Sequence, residues 1–146
     1  MKRNEFLKTC TLGCVGAILG AAALESCNVT KYVDGEMVES DLRVPLAKFV
    51  REKDGQKSYA SSIIVQHERI QFPICVYRKS ETEYTALYMK CPHQGAELQV
   101  FGDRLHCPAH GSEFSNQGEV LSAPAVSNLR LFPTRIENEL LLISLK

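Results

Sequence analysis

The chain opens on an apolar run and then settles into short alternations. After the charged start at residues 1–8, residues 9–24 carry no charge and are rich in Ala, Gly, Leu and Val. Such a run is short for a membrane-spanning helix, which needs about 20 residues, and fits the apolar region of a signal peptide. Residues 28–45 are polar, with Asp34-Gly35 as a turn signal, and read as a tether with room for a first short strand. From Leu46 the apolar positions recur with a period near two. They predict strands over 47–51, 61–66, 74–78, 86–90, 98–101, 104–107, 113–115, 119–121, 129–137 and 139–145. Asp54-Gly55, Gly102-Asp103, Asn116-Gln117-Gly118 and Asn138 supply the turns between them. No segment after the leader has helical periodicity, so residues 46–146 are expected to form an all-β domain of many short strands.

Composition narrows the partners. The chain has 146 residues, enough for one modest domain and a leader. Seventeen basic residues balance 17 acidic ones, which leaves no electrostatic footprint for nucleic acid. A small core without Trp gains from a bound metal. Six cysteines are present, but their positions do not suggest a disulfide framework. Cys10 and Cys14 lie in the leader and Cys27 ends it. Cys75 sits in the apolar stretch Pro73-Ile74-Cys75-Val76-Tyr77, where it reads as a small buried hydrophobe.

The leader ends in Leu24-Glu25-Ser26-Cys27, which looks like a bacterial lipobox with Cys27 as the acylated residue. Glu25 departs from the small residue usual there. Residues 1–27 are thus read as a signal peptide with lipobox; the alternative is an uncleaved N-terminal anchor. Arg3-Asn4-Glu5-Phe6-Leu7-Lys8 resembles a twin-arginine signal with Asn4 in place of the second Arg. All these readings place the domain beyond the cytoplasmic membrane, either periplasmic or on that membrane's outer face.

Two clusters carry the candidate chemistry: Cys91-Pro92-His93-Gln94-Gly95 and Cys107-Pro108-Ala109-His110-Gly111-Ser112. Each has one thiol and one imidazole, and 13 residues separate His93 from Cys107. Structural zinc sites usually pair Cys with Cys. One Cys and one His per loop suits a binuclear centre in which one iron takes both Cys and the other both His.

At these residues, and at the later Ala123-Pro124-Ala125, the chain resembles the Rieske iron–sulfur family from about Lys48 to the C-terminus. The resemblance implies a β-sandwich base with an inserted cluster-binding subdomain, here about residues 90–125. It implies a [2Fe–2S] cluster with Cys91 and Cys107 on the inner iron and His93 and His110 on the outer, solvent-facing one. Neutral imidazoles make such a cluster easier to reduce than four thiolates do, and their second nitrogens can couple reduction to proton uptake. Gly95 and Gly111 are expected to allow tight turns near the cluster, and Pro124 resembles the shielding Pro loop. Ser112 matches the serine that, in the family's high-potential branch, bonds a bridging sulfide. Phe114 stands where that branch has a Tyr, and Ala96 and Ala109 stand where it has a clamping disulfide. One donor kept and one lost predicts an intermediate potential within the family's range of about −150 to +300 mV. His106 and His67 are expected to be packing or surface residues.

The implied function is one-electron transfer by a membrane-tethered, exported protein. It would serve as carrier or redox subunit of a respiratory or periplasmic oxidoreductase, rather than as an enzyme alone. Its partner is expected to be a redox protein or a quinol-oxidising complex; Gln94 and the missing clamp speak against quinol oxidation. The alternative is a structural zinc module using the same Cys and His ligands. A Rieske oxygenase site is not expected in this chain, because the 36 residues after His110 contain no His for a second iron; delivery of electrons to such an enzyme stays open.

Overall fold

The computed structural model describes residues 29–146. The expected signal peptide, lipobox and Cys27 lie outside the described residues. The strands are Lys31–Asp34 (β1), Glu36–Val38 (β2), Asp41–Pro45 (β3), Val50–Lys53 (β4), Gln56–Tyr59 (β5), Ser62–Gln66 (β6), Ile74–Arg78 (β7) and Tyr84–Tyr88 (β8). They continue with Gln99–Phe101 (β9), Arg104–His106 (β10), Glu113–Ser115 (β11), Val120–Ser122 (β12), Leu131–Phe132 (β13), Thr134–Glu137 (β14) and Leu140–Ser144 (β15). The all-β expectation holds among the described residues, which form 15 short strands and one 3-10 turn.

The sheet β1-β6-β7-β8-β13 lies between two others, β14-β15-β3-β2 and β12-β11-β10-β9. Strands buried on both faces need apolar residues at consecutive positions, and β6, β7 and β8 supply them. Ile63, Val65, Ile74, Val76 and Ala86 pack with Leu42, Val44, Leu141 and Ile143 into a base core. Their neighbours Ile64, Cys75, Tyr77 and Leu87 point the other way and pack with Leu98, Leu105, Phe114 and Leu129 into a second core. Period-two alternation thus joins the cluster-binding part to the base.

The tether expected at residues 28–45 is corrected here. Residues 31–45 form β1, β2 and β3, with Val33, Leu42 and Val44 buried. The alternation Leu42-Arg43-Val44 puts two apolar side chains on one face, and that burial outweighs the polar composition. β1 runs parallel to β6, with Lys31 beside Ile63 and Asp34 beside Gln66. β8 runs toward Cys91, antiparallel to β7, which is antiparallel to β6. The chain therefore enters this sheet at the end away from Cys91.

Two smaller differences have local causes. Residues 46–49 form a 3-10 turn instead of the start of a strand. In that geometry Leu46 and Phe49 share a side; Phe49 is fully buried and Leu46 packs against the same core. The expected strand over 129–137 divides at Pro133 into β13 and β14, which belong to different sheets. A proline without an N–H suits that crossing point.

Candidate metal centre

The two motif loops are built alike. The first spans residues 91–96 between the bridge-paired Lys90 and Glu97, and the second spans residues 107–112 between β10 and β11. In the first, the Cys91 N–H donates to Ala96 O at 2.8 Å and the Gly95 N–H donates to Cys91 O at 2.8 Å. In the second, the Cys107 N–H donates to Ser112 O at 2.8 Å and the Gly111 N–H donates to Cys107 O at 2.9 Å. Gly95 and Gly111 have φ of +74° and +83°, the left-handed region where a side chain is strained. Both loops carry the pattern C-P-x-x-G, in which a loop-closing Gly stands four residues after each Cys.

This closure fixes where the donors point. Cys91 and Cys107 begin the loops and are buried in the second core with Leu98, Leu105 and Phe114. His93 and His110 lie further along the loops and are exposed. Their rings meet edge to face, centroids 4.9 Å apart and planes at 83°. Burial pushes the Cys91 thiol above its ordinary value, and the Cys107 thiol beside it adds to that. Hydrogen bonds from the His93 and Gln94 backbone N–H groups act in the opposite direction. Among the described residues no three His, Cys, Asp or Glu side chains form a group that could hold one metal ion. The four donors form a buried thiol pair and an exposed imidazole pair.

A third segment braces the site. Ser112 is fully buried, and its Oγ accepts the Ala125 N–H at 3.0 Å, which leaves its own hydrogen free to donate elsewhere. Ser122 Oγ accepts the Glu113 N–H at 3.1 Å and donates to Gly111 O at 3.4 Å. These bonds hold the second loop to residues 122–125, where Pro124 follows a cis peptide bond and is half-buried. Phe114 is fully buried and offers no hydroxyl. Cys75 is buried, and desolvation pushes its thiol up to about 12. His106 is half-buried on β10, and His67 Nδ1 accepts the Arg69 N–H.

Residues 48–133 match the Rieske [2Fe–2S] domain family. The chain belongs to this family. No curated protein matches it. Among solved structures it is similar to the cyanobacterial plasma membrane Rieske protein PetC3 from Synechocystis PCC 6803, at 23% identity and TM-score 0.50, over 57% of this chain and 86% of that one. It is also similar to a chain in the complex of reduced oxygenase and oxidized ferredoxin in carbazole 1,9a-dioxygenase, at 21% identity and TM-score 0.54, over 75% of this chain and 96% of that one. A third likeness is to the quaternary ammonium Rieske monooxygenase CntA in complex with L-carnitine, at 17% identity and TM-score 0.55. It covers 73% of this chain but only 32% of that one. At these identities the likenesses bear on the fold.

The Rieske domain binds a [2Fe–2S] cluster and serves Rieske-type electron transfer. The donor chemistry fits: two thiols lie side by side in an apolar core and two imidazoles reach solvent.

Proposed function

We propose that this protein is an exported, membrane-tethered one-electron carrier, with Cys91 and Cys107 on the inner iron of its cluster and His93 and His110 on the outer one. The observation that carries the reading is the division of four donors into a buried thiol pair and an exposed imidazole pair. When bound, the cluster supplies a site that gains and loses one electron. The chain's own residues do the rest. The thiolates neutralise ferric charge where water is excluded. The imidazoles bring the redox site to the surface, and each keeps one ring nitrogen free to hold or release a proton. Ser112, whose Oγ accepts the Ala125 N–H, would offer its hydroxyl hydrogen to the cluster, and with Phe114 in place of a tyrosine the potential would be intermediate within the family's range.

Cys27 is the proposed lipid anchor. Four residue steps separate it from Lys31 in β1, a reach of about 14 Å at most. β1 begins at the end of its sheet away from the ligand loops. A short leash at that end turns His93 and His110 toward water. This supports a redox protein reached from the aqueous side over a quinol within the bilayer. Among the described residues no helix is long and apolar enough to cross a membrane.

The test is low-temperature EPR of the reduced full chain, with iron and sulfide analysis. A rhombic signal with average g below the free-electron value, abolished or converted in His110→Cys, is expected. One zinc per chain without sulfide would replace the electron-transfer reading by a structural metal module.

A further inference from the structure

The tip of the molecule has a charge pattern that the ligand set does not use. Three segments surround the candidate centre: residues 90–95, 107–112 and 122–130. Together they contain no acidic residue, and their only formal charges are Lys90 and Arg130. Both cations lie on one side, where they line a cleft of about 560 Å³ with Tyr88, Pro92, His93 and Asn128. The fold places them there for backbone reasons: the Tyr88 N–H donates to Arg130 O at 2.9 Å, so β8 delivers Lys90 beside Arg130.

Neither cation is neutralised by an ion pair among the described residues. Arg130 lies over the Phe132 ring at 4.6 Å and donates to Leu145 O at 3.4 Å. Lys90 Nζ is 5.8 Å from the Phe72 ring centroid. Glu97 pairs with Lys90 across a β-bridge but lines a different cavity, with Asp34 and Glu68. The rest of the tip is neutral and partly apolar, with Val126 93% exposed. The chain as a whole has no net charge, so its overall field does not steer an anion.

We propose that the cleft beside His93 is the docking subsite for an acidic face of a water-soluble redox partner, with Lys90 and Arg130 as its carboxylate-recognising residues. This rests on the electron-transfer reading above. Two cations beside an exposed imidazole orient a carboxylate-bearing surface so that its own redox centre approaches His93. The uncharged remainder allows close contact without unpaired charge.

The test uses the full chain with its cluster loaded, reduced and mixed in stopped flow with ferricyanide or, separately, with the cation tris(phenanthroline)cobalt(III). Each oxidant takes one electron from one reduced protein. Ferricyanide oxidation is expected to slow about tenfold as ionic strength rises from about 0.01 to about 0.5 M, the low end of electrostatic steering, while the cobalt reaction speeds up. Lys90→Gln/Arg130→Gln should abolish the ferricyanide slope, and Lys90→Glu/Arg130→Glu should invert it. In both variants the EPR signal reports an intact cluster. Poly-L-glutamate should inhibit ferricyanide oxidation far better than glutamate at equal carboxylate concentration. Equal salt slopes for the two oxidants, an unchanged slope in the doubly reversed variant, or equal inhibition by glutamate monomer would each overturn the proposal. An unloaded protein with no EPR signal would instead overturn the electron-transfer reading.

Discussion

Ser112→Ala removes one oxygen that the geometry asks to do two things. Its Oγ accepts the Ala125 N–H at 3.0 Å, and both residues are buried. Deletion leaves the Ala125 N–H without its partner, a cost of about 1–3 kcal/mol for a buried amide. Taking about 2 kcal/mol and roughly 4 °C per kcal/mol for a domain of this size, the melting temperature should fall by roughly 8 °C. The second effect concerns the free hydroxyl hydrogen. Reduction adds negative charge, so a donor to the cluster favours the reduced state. If about 1–2 kcal/mol of a charge-assisted hydrogen bond distinguishes the two states, its loss lowers the midpoint by about 45–90 mV, at 59 mV per tenfold for one electron. Scanning calorimetry and an EPR-monitored redox titration on the same preparation read both effects. Ser122→Ala is the control, because that hydroxyl braces the same loop through Glu113 and Gly111. It should lower the melting temperature with little change in potential. An Ser112→Ala midpoint that stays put or rises, alongside a lower melting temperature, would refute the donor role and leave Ser112 as a brace alone.

Leu42→Ala tests whether residues 31–45 belong to the fold. Leu42 is fully buried in the base core, so the variant should lose about 2–5 kcal/mol in urea unfolding; a loss below about 0.5 kcal/mol, as for a surface site, would restore the tether. Asp41 and Arg135 give a pH signature. The Arg135 hydrogen bond holds the Asp41 carboxyl below its ordinary value, against a smaller upward push from desolvation. A folded-state value below the unfolded one contributes stability that is present above the unfolded value and lost as pH falls through the folded one. Urea midpoints should therefore drop more steeply below about pH 4 for the wild type than for Asp41→Asn; parallel profiles would show that the ion pair adds nothing.

Strands β6, β7 and β8 of the central sheet were legible because they are buried on both faces. Runs such as Ile63-Ile64-Val65 and Ile74-Cys75-Val76 leave little else to read, and the Asp54-Gly55 and Asn138 turns follow from backbone preference alone. Residues 31–45 were read as a tether with room for at most one short strand, because β1 to β3 each contribute one or two apolar side chains among charged ones, and their stability comes from partners distant in sequence: β6 for β1 and β15 for β3. The 3-10 turn at 46–49 was missed because Ala47-Lys48-Phe49 alternates apolar and polar like the start of a strand, and one turn is too short to show its own period. The four proposed ligands stood out by residue type. Their division into buried thiols and exposed imidazoles depends on loop closure, which the repeated C-P-x-x-G encodes. The Ser112–Ala125 bond was not legible, because nothing local ties a serine to an amide 13 residues away.

That division also bears on where an added electron is best held. The thiol end lies in an apolar core, where an extra negative charge would be poorly solvated and would sit beside the two proposed thiolate ligands. The imidazole end is exposed to water, its proposed ligands are neutral, and the tip's only formal charges, Lys90 and Arg130, are cations beside it. Three independent terms thus favour the same end: solvation, ligand charge and the nearby cations. Each has a different handle. Ligand charge is changed by His110→Cys, the cations by Lys90 and Arg130 substitutions, and the screening of those cations by salt. If the proposed assignment is right, removing both cations should lower the potential most at low ionic strength, and the difference from wild type should shrink as the Debye length falls from about 30 to about 3 Å between 0.01 and 1 M salt. A difference independent of salt would mean that the two side chains act through loop structure rather than through their charge.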